Sequence, residues 1–353
     1  MSSLTSIVVG AGAGGMLSAK ALLASPRFTL VGIADTSPEA LGRLDGDDFR
    51  GVAKFDSYQD MFGAVQADVV CVSTYAPTHL EIAQAAMALP VRGMLVEKPL
   101  GDSTIAGSEI VEFAKSHKIP LVTPHGLMAR DAPLEVLAEV RQGAIGALRV
   151  VEMECTGWDI INAGIHWIQY FIMLARPEPV TSVLCACDTG TRTYRDGLQV
   201  ETEAVTLAVC GNGTRLILNT GDYVPVARDN AACLMRIVGE DGYIEYCAWQ
   251  DSYRLVTPKA GNRVVAVEPS PVSGHRRHLE HLADLIDSGT LDYEVPDSSV
   301  RALEVVEAAY LSNRTGASVS LPIATFQKPV ATDWDPGTPY SGVGGGRDGR
   351  KLP

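Results

Sequence analysis

Hydrophobic positions in the first 122 residues fall into short continuous runs separated by amphipathic stretches. "TSIVVG", "FTLVGIAD", "ADVVCVST", "GMLVEKPL" and "IPLVTPHG" are apolar at almost every position, as strands covered on both faces must be. Between them, "GMLSAKALLAS", "SPEALGRL", "PTHLEIAQAAMAL" and "IAGSEIVEFAKSHK" carry helical spacing. Ser37 stands where a helix is capped, with Pro38 at the first helical position. Strand-helix alternation of this kind predicts a parallel, doubly wound sheet over residues 1–123, a Rossmann domain.

Past residue 123 the pattern changes. "PLEVLAEVRQGAIG" is still helical, but "ALRVVEMECT", "VTSVLCAC", "EAVTLAVC", "TRLILNTGDY", "ACLMRIVGEDGYIEYC", "YRLVTP" and "NRVVAVE" are strand-like, with "NGT" and "EDG" as hairpin turns. One helical segment, "NAGIHWIQYFIMLA", interrupts them, and "HRRHLEHLADLIDSG" and "SSVRALEVVEAAYLSNRTG" close the series. The expected fold class is therefore α/β: a Rossmann domain, then an α+β domain over residues 124–324 with an open, mostly antiparallel sheet. The tail, residues 325–353, is rich in Gly, Pro and charge and is expected to be irregular, either mobile or docked on a neighbouring subunit through Trp334 and Tyr340.

Composition narrows the function. A chain of 353 residues, 46% hydrophobic and 20% charged, is long enough for two cores. The net charge of −13 argues against nucleic acid or an anionic membrane as partner. No apolar run reaches spanning length, and the N-terminus lacks the basic lead and apolar stretch of a secretory signal, so a cytoplasmic protein is expected. The seven Cys are scattered and sit mostly in apolar runs, which predicts buried free thiols. Cys185 and Cys187 form a C-x-C pair without a second pair to complete a zinc site, and no metal is expected.

Gly10, Gly12 and Gly15 stand in G-x-G-x-x-G spacing between a strand and a helix, with Ala11, Ala13 and Gly14 completing the loop. The first Gly makes the turn, the second lets a pyrophosphate approach the backbone, and the third lets helix and strand pack closely. The helix N-terminus then faces the phosphates. Asp35 ends the second strand, where a carboxylate accepts both adenosine ribose hydroxyls and repels a 2′-phosphate. Thr36 and Ser37 follow, with no Arg, so NAD is expected rather than NADP. In such sheets ligands sit beyond the carboxyl ends of the strands. Ser73, Thr74, Tyr75, Pro77 and His79 arrive there from one strand, and Glu97 and Lys98 from another. His79 is equally compatible with a packing role.

"GAGAGG", Asp35, "APTHLEIA" and "EKPL" together resemble the Gfo/Idh/MocA family of NAD(P)-dependent oxidoreductases. "RDAPLEVLAEVRQGAIGALRVVEM" and "AAYLSNRTGASVSLP" are similar to later parts of that family, so the resemblance runs over residues 4–323. It implies activity on sugars, inositols and related polyols. It also implies a second domain that binds substrate and builds homodimers or homotetramers through its sheet. The family's helix with an acid and a His four residues apart resembles "NAGIH", with Asn162 where Asp is usual and His166 in place. Positions four apart share one helix face. The resemblance thus implies Lys98, His166 and Asn162 as the catalytic set. Lys98 would polarise the reacting hydroxyl and His166 act as base, while Asn162 orients the imidazole by hydrogen bonding and Glu97 supports the turn and cofactor.

Arg130, Trp158 and Asp159 are further substrate candidates beside Lys98, Asn162 and His166. Tyr223 and Arg228 lie on a loop, and His275, Arg276, Arg277 and His278 open a helix. The expected function is oxidation of a secondary hydroxyl of a sugar, sugar derivative or inositol-like polyol by hydride transfer to nicotinamide. An NAD-dependent glycoside-cleaving enzyme and a non-catalytic NAD-binding regulator are the alternatives. A regulator would not need Lys98 and His166 together.

Overall fold

The computed structural model describes residues 3–188, 193–226, 232–323 and 335–340. The chain divides into two compact units, Met1–Pro124 with Val272–Ser299, and His125–Pro271 with Val300–Pro353. In the first unit the elements run β1 (Leu4–Val9), α1 (Ala13–Ala24), β2 (Phe28–Ala34), α2 (Pro38–Gly42), β3 (Ala53–Phe55), α3 (Tyr58–Ala64), β4 (Val69–Val72), α4 (His79–Met87), β5 (Gly93–Val96), α5 (Thr104–His117) and β6 (Leu121–Val122). The strands pair in the order β3-β2-β1-β4-β5-β6, all parallel. That order places the crevice for a dinucleotide at the β1/β4 reversal. Every residue of β4 and β5 is buried, which is why their sequences show no alternation.

The second unit opens with α6 (Asp131–Arg141) and β7 (Leu148–Thr156). A π-helical turn, Ile160–Gly164, leads into α7 (Ile165–Ala175). The strands β8 (Val180–Cys187), β9 (Thr193–Arg195), β10 (Leu198–Val200), β11 (Glu203–Cys210), β12 (Arg215–Gly221), β13 (Cys233–Gly239), β14 (Gly242–Cys247), β15 (Ser252–Thr257) and β16 (Gly261–Ala266) follow. In chain order α8 (Gly274–Ser288), which belongs to the first unit, precedes α9 (Glu294–Thr315) and the short strand β17 (Val319–Ser320). The described strands of the large sheet run β16-β15-β14-β13-β7-β12-β11-β8-β17, antiparallel except for the β7/β12 pair. β9 and β10 form a separate hairpin. Alternation is clean: Leu216 and Leu218 of β12 are buried, whereas Arg215 is exposed and Ile217 and Asn219 are half-buried. Backbone amides of β8 donate to side chains of α9, Cys185 N to Ser312 Oγ and Cys187 N to Asn313 Oδ1.

Val272–Ser299, expected from sequence in the second domain, belongs to the first unit. Leu279, Leu282 and Ala283 of α8 enter the same core as Val8, Ala19, Leu22 and Leu95. Full burial of each Leu contributes about 1.5–3 kcal/mol. A Cβ on Gly93 would lie 2.7 Å from the Ile286 side chain, so α8 packs closely on β5 at that position. Arg27 pairs with Asp284 and Asp287 at the rim. Periodicity shows that a helix has an apolar face but not which unit receives it. No described helix is long and apolar enough to cross a membrane.

Candidate active site

In the first unit the glycine loop is built by close backbone approach. A Cβ on Gly15 would stand 1.9 Å from the Gly10 carbonyl oxygen, and one on Gly10, at φ +101°, would stand 2.4 Å from the Ser73 carbonyl oxygen. Gly12 is different: a Cβ there meets nothing within 4 Å. It caps α1 without a side-chain hydrogen bond, at a helix N-terminus whose dipole favours an anion. Asp35 closes the other side. Its Oδ2 accepts from Ala11 N at 2.6 Å and its Oδ1 from Ser37 N at 2.8 Å, while Thr36 is exposed. These residues fit a dinucleotide: an open-faced glycine at a helix N-terminus and a carboxylate at the adjacent strand end.

The neighbouring strand ends are tied together. Glu97 N donates to Val72 O at 2.9 Å, extending the β4/β5 ladder to the turn. The Glu97 side chain is buried, accepts from Lys98 N at 3.2 Å, and meets His275 Nε2 of α8 at 2.7 Å. A Cβ on Gly14 would lie 3.4 Å from the same carboxylate. Burial pushes the Glu97 acid up, but the hydrogen bond and charge of His275 and the Lys98 ammonium outweigh it, so its pKa lies below the ordinary value. Lys98 is half-buried beyond this carboxylate. His79 is buried, its ring nitrogens each 3.0 Å from a carbonyl oxygen, Pro99 on one side and Thr74 on the other. Burial lowers its pKa against the pull of Thr74 and Glu97. Ser73 is buried against Ser18, Thr74 bonds Thr78, Tyr75 is exposed and Pro77 half-buried.

In the second unit, Asn162 and His166 lie one turn apart where the π-turn passes into α7. Asp159 caps this start: its Oδ1 accepts from Asn162 N at 2.7 Å and from Asn162 Nδ2 at 3.0 Å. Asp159 also pairs with Arg195 at 3.3 Å, and the guanidinium lies over the Trp158 ring at 4.3 Å. Glu201 accepts from Ile160 N at 2.6 Å and from Tyr310 OH at 2.7 Å. Asp159, Arg195, Glu201 and Tyr310 are all at least nine-tenths buried. Arg195 thus faces one of the two carboxyl groups, Asp159, while Glu201 is held by Ile160 N and Tyr310. Burial, then the charge of Asp159, pushes Glu201 up to about 7, and burial likewise raises Asp159 against the pull of Arg195.

His166 is half-buried and meets His125 edge-to-face at 5.3 Å and Trp249 at 6.3 Å. Arg130 donates to Trp249 O at 2.9 Å and pairs with Asp251 at 3.1 Å. Tyr223 is exposed, and Arg228 and Trp334 lie outside the described residues. Sequence reading passed over Arg195, Glu201 and Tyr310. The Asp-Gly turn between β9 and β10 marks their hairpin, but nothing local tells that it folds onto the start of α7.

A family model described as an oxidoreductase family with an NAD-binding Rossmann fold, Gfo/Idh/MocA, matches residues 4–125. An uncharacterized oxidoreductase, YfiI of Bacillus subtilis (strain 168), is 37% identical over 108 residues, 29% of this chain and 27% of that protein. The trans-1,2-dihydrobenzene-1,2-diol dehydrogenase of Mus musculus is 27% identical over 156 residues, 38% of this chain and 46% of that protein. The chain therefore spans less than half the length of these two curated relatives. Among solved structures, an oxidoreductase from Agrobacterium radiobacter in complex with NAD+, L-tartaric acid and magnesium superposes with a TM-score of 0.74 at 21% identity, covering 90% of this chain and 98% of that one. At that identity the likeness is one of fold.

Proposed function

We propose that the chain, whose residues 4–125 match the model of the Gfo/Idh/MocA oxidoreductase family, is an NAD-dependent dehydrogenase oxidising a secondary hydroxyl of a sugar, sugar derivative or inositol-like polyol. The observation that carries the reading is the Glu97-Lys98 turn. A buried carboxylate joins Lys98 N, the glycine loop and His275, so the ammonium is presented from a fixed backbone at the carboxyl edge of the parallel sheet. A solvated surface lysine would need none of this. Gly10, Ala11, Gly12, Ala13, Gly14, Gly15 and Asp35 would hold the dinucleotide, which when bound supplies the hydride acceptor. Lys98 is assigned to hydrogen-bond the reacting oxygen and stabilise the alkoxide that develops there. His166 is assigned to take the proton, a role suited to an imidazole. Asn162, held by Asp159, fixes the start of the helix that carries it.

NAD is favoured over NADP because Asp35 would repel a 2′-phosphate. A homo-oligomer formed by a second copy on the outer face of the large sheet is part of the proposal. Leu184, Val205 and Val264 are 45%, 54% and 64% exposed there, beside the charge-alternating row Glu152, Arg236, Glu245 and Arg254, a mixture that suits self-association. The test is a spectrophotometric screen of sugars, sugar acids, inositols and vicinal diols with NAD and with NADP. Net reduced cofactor from one of these classes is expected. Release of free sugar from a glycoside without net reduced cofactor would favour glycoside cleavage, and cofactor binding with no turnover would favour a regulator.

A further inference from the structure

The last described stretch of the chain, Asp335–Tyr340, is a short strap rather than a loose end. Gln199 N donates to Thr338 O and Gly337 N to Gln199 O, both at 2.8 Å, and Tyr340 N donates to Gly197 O at 2.9 Å. Asp335 N donates to Gln199 Oε1, and the buried Asp335 carboxylate accepts both of its oxygens' bonds from Arg314 of α9, at 2.8 and 3.0 Å. Tyr340 stacks on Tyr194 with centroids 4.2 Å apart and planes 14° apart. The strap therefore clasps the β9–β10 hairpin to α9.

What it clasps is the support of the candidate catalytic helix. β9 carries Arg195, and the residue after β10 is Glu201 with only Val200 between it and Gln199. Glu201 holds Ile160 N, Arg195 faces Asp159, and Asn162 Nδ2 also reaches the Arg195 carbonyl at 3.5 Å. The strap also touches this network directly. Gly337 has φ +87°, and a Cβ there would fall 2.6 Å from the ring of Tyr310, whose hydroxyl donates to Glu201. A substitution at that position is strained by backbone and by contact alike.

We propose that Asp335–Tyr340 is a positioning element: by holding the hairpin and the Tyr310 ring, it fixes Arg195 and Glu201, and through them the π-turn that sets Asn162 and His166. The inference rests on the reading of His166 as a working residue. Its structural part, strap to π-turn, stands on the contacts alone. An apolar tail docked only for its own burial would not need a buried, doubly accepting carboxylate or a glycine against Tyr310.

The test compares full-length wild type with Tyr340→Ala, Gly337→Ala and the conservative Tyr340→Phe, which keeps the ring stack. Backbone hydrogen exchange is measured across the chain together with NAD affinity. Peptides covering residues 158–168 are expected to exchange at least about tenfold faster in Tyr340→Ala and Gly337→Ala, because Ile160 N and Asn162 N lose fixed acceptors. Tyr340→Phe and NAD affinity should match wild type. On a substrate from the screen, kcat should fall by up to about 10²-fold in the first two variants with KM for NAD unchanged. Faster exchange confined to residues 193–200 and 335–340, with residues 158–168 unchanged, would overturn the proposal. So would wild-type kcat in a folded Gly337→Ala. If the screen yields no turnover, the exchange result still decides the strap, and the dehydrogenase reading fails separately.

Discussion

Asp35 carries two tasks on one carboxylate. It accepts from two backbone amides, of which Ala11 N belongs to a buried residue, and it is the group assigned to the adenosine ribose. Asp35→Ser should therefore do two measurable things. The NAD over NADP preference in kcat/KM should fall by about tenfold, and stability by about 1–3 kcal/mol for the lost acceptor. Unchanged cofactor preference would remove Asp35 from the ribose site. Glu201 gives a pH signature. Its carboxyl is raised from 4.5 to about 7, first by burial and then by the charge of Asp159, against the hydrogen bonds from Tyr310 and Ile160 N. Between those values the folded protein binds the proton more tightly than the unfolded chain, so this group's contribution to stability is complete at the low end. It is lost as pH rises to about 7, at up to about 1.4 kcal/mol per pH unit. Glu201→Gln mimics the protonated acid. Denaturant unfolding at both ends of the window should show the variant gaining on wild type as pH rises, and a constant difference would contradict the account. Asp35, the glycines and Lys98 were legible because local spacing defines them. Glu201 was not, since its partners Ile160 and Tyr310 lie 41 and 109 residues away.

At the scale of elements, the β1–α1 turn separates folding from binding. Gly15→Ala puts a methyl 1.9 Å from the Gly10 carbonyl oxygen and should cost at least about 3 kcal/mol in thermal or denaturant unfolding. Gly12→Ala meets nothing within 4 Å, so it should keep wild-type stability and lose NAD affinity in a direct titration. Equal NAD affinity in the Gly12 variant would place the pyrophosphate elsewhere. The parallel strands were readable as continuous apolar runs alternating with helices, and the large sheet as strands that follow one another without helices and turn at "NGT" and "EDG". The destination of α8 was not readable. Its apolar stripe, Leu279, Leu282 and Ala283, fits any core, and its packing with Val8, Leu22 and Leu95 is visible in the structure alone. The described part of the tail shows a similar limit: Tyr340 stacks on Tyr194 of its own chain, not on the neighbouring subunit that the sequence suggested, because nothing local tells that the tail returns to this hairpin.

For the whole molecule, the proposed second copy on the outer sheet face predicts a solution mass that is a multiple of 37.5 kDa. Val205→Arg, at an exposed position paired across to Ala186 and Asn219, should shift light-scattering mass to a single protomer without unfolding the chain. A wild-type protein already at that mass would remove the interface. The central claim is that Lys98 acts on a hydroxyl whose carbon gives up its hydride to nicotinamide while the hydroxyl proton goes to His166. Its most direct test is single-turnover reduction of NAD by wild type and Lys98→Met, with NAD binding measured alongside on the substrate found in the screen. The account predicts that Lys98→Met binds NAD as wild type does and loses at least about 10²-fold in the rate of NADH formation. Near-equal rates in the two proteins would contradict it and leave the Glu97-Lys98 turn a purely structural feature.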